Sequence, residues 1–189
     1  MEYIFLGIAV VILFWAVTVY NKLVALIEAV HNSEKEISVQ LDRRGKVFDS
    51  LIAAVNRYMS HESEVFTKVT ALRAQTLDAN ASPEAVKQAQ DELSKVVNSG
   101  AINIAVESYP ELKADRNMIQ LQEEIVSTEN KLSFAKKAYN NAIERYNVTR
   151  KSFPNVVVAN IFADLHQEFV YWSLDEATIN TEEARRIQF

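Results

Sequence analysis

Residues that make tight turns are nearly absent from this chain: it has Gly 3 and Pro 3 in 189 residues, where ordinary usage would supply roughly a dozen glycines and nine prolines. Sandwiches, barrels and doubly wound sheets of this length need many strand ends and turns, each normally marked by Gly, Pro, Asn or Asp. An all-α fold built from few, long helices is therefore predicted, with no strand. With only Gly7, Gly45 and Gly100 to draw on, neither a glycine-rich phosphate cradle nor a G-x-S-x-G nucleophile elbow can be written. The net charge of -5 and the lack of a basic stripe argue against nucleic acid as a partner. Cys 0 excludes disulfides, thiolate metal sites and cysteine nucleophiles.

Residues 3–20 read YIFLGIAVVILFWAVTVY without a charge. As a helix they would span about 27 Å, enough to cross the hydrocarbon of a bilayer. Tyr3 and Phe5 at one end and Trp15 and Tyr20 at the other suit an interfacial aromatic belt. No Lys or Arg precedes the run and no small-x-small site closes it, so an uncleaved anchor over residues 1–20 is expected in place of a signal peptide. Lys22, Lys35, Arg43, Arg44 and Lys46 follow the span, which favours the bulk of the chain on the cytoplasmic side of the membrane, as a single-pass protein.

Beyond the anchor, Gly45 is the only helix breaker before Pro83, and apolar residues from Leu23 to Leu72 recur mostly in steps of three and four. The pattern predicts one helix over residues 21–77, about 85 Å if unbroken. Ser82-Pro83 caps and opens a second helix, with a stripe of Val86, Ala89, Leu93, Val96 or Val97, Gly100 and Ile104. Pro110 biases Tyr109 out of the helical region and makes the next corner. A third helix carries the clearest signal: Leu121, Ile125, Thr128, Leu132, Ala135, Tyr139, Ala142, Tyr146, Thr149 and Phe153 alternate steps of four and three, a heptad seam. Val156 to Phe169 would dock as a fourth helix, before a polar tail over residues 170–189. The expectation is an anchor running into an elongated antiparallel four-helix bundle over residues 21–169.

The order of short motifs then becomes specific. Tyr20-Asn21-Lys22-Leu23-Val24, Val39-Gln40-Leu41-Asp42-Arg43-Arg44, His61-Glu62 and Tyr109-Pro110 are followed by Thr128-Glu129-Asn130, Tyr139-Asn140, Tyr146-Asn147 and Phe153-Pro154. Over about residues 1–169 the chain resembles the LemA family of bacterial membrane-anchored helical proteins, departing from its pattern at Glu28-Ala29, Lys35 and Ala163. The resemblance implies an anchored helical bundle with no established enzymatic activity. Members linked to organelle formation in magnetic bacteria suggest a scaffold.

Chemistry-bearing clusters are sparse. His31, His61 and His166 offer no i, i+4 pair and no H-E-x-x-H, and the adjacent carboxylates Glu123-Glu124 and Glu182-Glu183 diverge by about 100° on a helix. No catalytic residue, metal site or cofactor is assigned. Arg44 lies near the apolar face of the first helix and Glu129 beside Thr128 on the seam of the third, which predicts a buried pair that sets helix register or, equally, a subunit contact. With Arg43, Asn130, Tyr139 and Tyr146 they form the candidate structural and interface set, and Trp172 and Leu174 are candidates for contacts beyond the bundle. Two functions fit: a self-associating scaffold that organises a membrane or its proteins, or an accessory or sensory subunit that binds a partner protein or membrane protease through its tail.

Overall fold

A computed structural model describes residues 1–57 and 64–173. Among these every regular element is helical: α1 (Glu2–Val55), α2 (Glu64–Leu77), α3 (Pro83–Asn98), α4 (Ala101–Glu107), α5 (Pro110–Ala114), α6 (Arg116–Lys151) and α7 (Asn155–Ile161), with a 3-10 turn at Ala163–Leu165. The all-α class and the long apolar N-terminal helix are as the composition requires. Two compact units divide the chain, one of Met1–Glu36 and Ala135–Phe189, the other of Ile37–Phe134. Both α1 and α6 contribute to each.

Three corners depart from the sequence expectation. The first helix does not reach Leu77; α1 ends at Val55 and α2 starts afresh at Glu64. No Gly or Pro marks this break. Its cause is tertiary: by turning back, α2 brings Phe66, Val69 and Leu72 into the same core cluster as Phe48, Leu51 and Val55, a burial that outweighs the helix propensity of the linking residues. The second helix is divided at Gly100, whose φ of 70° is left-handed, a conformation that favours glycine. The register restarts there, so Ile102, Ala105 and Val106 are buried and Ile104 is exposed. Finally, the fourth helix is only the seven residues of α7, and residues 166–173 carry no regular structure.

The capping chemistry follows from the sequence. Ser82 Oγ accepts the Ala85 N–H at 3.1 Å with Pro83 in the first turn of α3, and Tyr109 is extended ahead of Pro110. On α6 the seam is buried at Ile125, Thr128, Leu132, Ala135, Tyr139 and Tyr146, with Ile143 buried beside the half-buried Ala142. The seam stops short of Phe153, which lies past the end of α6 and is exposed. Its bond to Pro154 is cis.

Gly45 leaves α1 continuous. A Cβ there would sit 2.7 Å from Arg73 Nη2, and Arg73 is clamped by Asp49, Nε to Oδ1 and Nη2 to Oδ2, both at 2.8 Å. The glycine makes room for a guanidinium laid across the helix backbone.

Candidate functional site

The Ile37–Phe134 unit has a polar centre in its core. Arg44, on the inward face of α1, is buried and both its terminal nitrogens donate to protein acceptors. Nη1 donates to Ser94 Oγ at 2.7 Å and to Glu129 Oε2 at 3.3 Å; Nη2 donates to the Gln90 carbonyl at 3.2 Å and to the Gln90 side-chain oxygen. Burial lowers the Arg44 guanidinium from its ordinary value, and the charge and hydrogen bond of Glu129 oppose that shift. It stays charged at any physiological pH, since guanidinium starts far above neutrality. The side chains of Arg44 and Glu129 are 4% and 13% exposed, so this is an ion pair held out of water and braced by two residues of α3.

Neither Gln90 nor Ser94 was singled out from the sequence. Their spacing of four on a helix puts both on one face, but nothing local shows that this face meets an arginine. Arg43, one residue earlier, points elsewhere: its Nη2 lies 3.0 Å from Glu124 Oε1 with both groups well exposed, the kind of pair that contributes little. Glu123 is exposed. Thr128 Oγ1 is buried and has no hydrogen-bond partner among the described residues.

Asn130 lies apart from the polar centre, on the outward side of α6. There, with Asn103, Ile119, Gln122, Val126 and Phe134, it lines a shallow groove of about 670 Å³.

The Met1–Glu36 and Ala135–Phe189 unit holds a second constellation, in which α6 side chains grip the backbone of the segment after α7. Tyr146 is fully buried; its hydroxyl donates to the Leu165 carbonyl at 2.5 Å and accepts the Gln167 N–H at 2.9 Å. Asn140 reads one residue from both sides, its Nδ2 donating to the Trp172 carbonyl and its Oδ1 accepting the Trp172 N–H, each at 2.8 Å. The Phe169 ring stands edge-on to Tyr146 and to His31, with centroids 5.4 and 5.5 Å apart. Lys136 Nζ sits 4.6 Å from the Trp172 ring centroid.

Trp172 is thus tied to α6 and is not part of a free tail, whereas Leu174 and Glu182-Glu183 lie outside the described residues, as does His61. Tyr139 is buried one heptad before Tyr146; burial, and secondarily the charge of Glu34, raises its phenol above the ordinary value. Asn140 belongs to the Tyr-Asn pairs visible in the sequence, but its two-sided grip on a distant residue is a tertiary fact. These groups have the chemistry of structural bonds: the hydroxyl of Tyr146 and the amide of Asn140 are occupied by main-chain partners. Among the described residues no three His, Asp or Glu side chains group so as to hold a metal ion.

The comparisons with known proteins agree with the motifs. A protein described as Protein LemA from Metamycoplasma hominis is 22% identical over 167 residues, an alignment covering 87% of this chain and 75% of that one. The LemA family model matches residues 33–189. With most of its length matched by that model, the chain belongs to the LemA family.

Proposed function

We propose that this chain is a non-enzymatic, membrane-anchored helical scaffold that self-associates and organises a membrane or its proteins. The observation that carries the reading is the uncovered start of α1: Ile4, Phe5, Leu6, Leu13 and Phe14 all stand more than 60% exposed within a helix long and apolar enough to span a bilayer. Apolar surface of this extent calls for lipid or a partner. Lipid fits best, because the run is charge-free and edged by Trp15 and Tyr20. The Lys and Arg residues that follow the span favour an orientation with the bulk of the chain inside the cell, and membership of the LemA family suggests a bacterial cytoplasmic membrane. Anchoring in turn raises the effective concentration of neighbouring copies, so modest contacts suffice for assembly.

Particle mass of the full-length protein in mild detergent, by mass photometry and then electron microscopy, tests this. A discrete oligomer, ring or filament is expected. A monomer at every concentration would overturn self-association. The alternative, an accessory subunit that engages a membrane-protein partner through its tail, is narrowed by the Asn140 grip on Trp172: the contacting segment would be residues 174–189, Leu174 included. Deleting those residues discriminates the two: loss of partner capture with assembly intact favours the accessory reading, whereas loss of assembly favours the scaffold.

A further inference from the structure

The outward face of α6 is patterned as if to meet a copy of itself. Ile119, Glu123, Val126, Ser127, Lys131 and Phe134 share one face of the helix by spacing, and the buried Ile125, Thr128 and Leu132 occupy the opposite one. Ile119, Val126 and Phe134 are 46%, 49% and 72% exposed, and they line the groove described above. Neither Glu123 nor Lys131 takes part in an ion pair among the described residues.

A two-fold axis through the midpoint between Val126 and Ser127 makes this face complementary to itself. Ile119 of each copy meets Phe134 of the other at the two ends, and the smaller Val126 and Ser127 meet at the crossing, where they permit close approach. Glu123 of each copy lies beside Lys131 of the other, so an opposite-charge pair forms twice. Parallel pairing reverses the electrostatics, setting Glu123 against Glu123 and Lys131 against Lys131, which like-charge repulsion disfavours. An antiparallel arrangement is isologous and closed, so it ends at two copies through this face and cannot propagate.

We propose that a second copy of this chain docks on the outward face of α6, antiparallel, about a two-fold axis at Val126 and Ser127. This rests on the self-association reading and specifies one of its contacts. Detergent micelles leave every relative orientation of two copies open to test.

The chain has Cys 0, so single cysteines report the register directly. In the full-length protein in mild detergent, Val126→Cys is expected to cross-link to itself under mild oxidation. Ile119→Cys alone is expected to stay uncross-linked, yet to link to Phe134→Cys when the two variants are mixed. Ser50→Cys, exposed on α1, sets the collisional background. Lys131→Glu should lower the yield of the Val126→Cys product, and adding Glu123→Lys to the same chain should restore it. All these positions are solvent-exposed or at the groove, so unchanged melting temperatures show that the fold is kept.

Cross-linking of Ile119→Cys to itself, or no product above the Ser50→Cys background, overturns the pairing. Mass photometry keeps the two readings apart: oligomers without these cross-links refute this contact and leave self-association standing, while a monomer refutes both.

Discussion

At the scale of single residues, energetic weight follows burial more than charge. Arg43 and Arg44 are neighbours and both are paired, yet only Arg44 has exchanged water for protein partners. Glu129→Ala would leave the Arg44 guanidinium buried without its counter-charge and should cost about 3–5 kcal/mol. Glu123→Ala, on the exposed side of the same helix, should change stability by less than about 0.5 kcal/mol. Urea denaturation of the two variants checks this, and equal small effects would retire a structural role for the pair. Thr128 is the converse case. Its hydroxyl is buried with no partner among the described residues, so Thr128→Val should stabilise the protein by about 1 kcal/mol, because an unsatisfied polar group is removed with little change in volume.

At the scale of elements, the exceptions to ordinary helix behaviour have local causes. Glycine inside a helix costs about 1 kcal/mol relative to alanine, yet Gly45 is where the Arg73 guanidinium lies, held by Asp49 one turn further along α1. Gly45→Ala should therefore gain nothing in the wild-type background. In an Arg73→Ala background it should recover about 0.5–1 kcal/mol, a coupling that a double-mutant cycle measures directly. The segment after α7 is held from α6 by Tyr146 and Asn140 in place of a helical ladder. Tyr146→Phe strands the Leu165 carbonyl and the Gln167 N–H, and should cost about 1–3 kcal/mol. Asn140→Ala should instead act locally, with faster hydrogen exchange at the Trp172 amide and a smaller change in melting temperature.

At the scale of the whole molecule, acid should destabilise the fold through carboxylates that are held ionised. The Arg73 hydrogen bond keeps Asp49 below its ordinary value, and the Lys95 hydrogen bond does the same for Glu92, with Lys68 adding charge. A depressed folded value means that the folded state binds the proton more weakly than the unfolded chain does. That stabilisation is complete above the ordinary carboxylate range and is lost as the pH falls below about 4 through the folded values. Both carboxylates are partly solvated, so the loss is small and shrinks with added salt; Asp49→Asn should flatten the acid limb of a plot of urea midpoint against pH. The helical class, the apolar span, the Ser82-Pro83 and Tyr109-Pro110 corners and the seam of α6 were all legible in the sequence. Each depends on backbone preference or on spacing within a few turns, and such information is carried by neighbouring residues. The suggestion that Arg44 and Glu129 meet was also legible, since both lie at the edge of an apolar face. The break after Val55 was not, because no residue there forbids helix and only the burial of Phe66, Val69 and Leu72 against α1 decides it. Gln90 and Ser94 as partners of Arg44, Arg73 across Gly45, and the Asn140 grip on Trp172 also came only with the tertiary structure. These contacts join residues from 24 to 50 positions apart. Spacing along a helix tells which residues share a face, whereas what that face meets depends on how the helices pack.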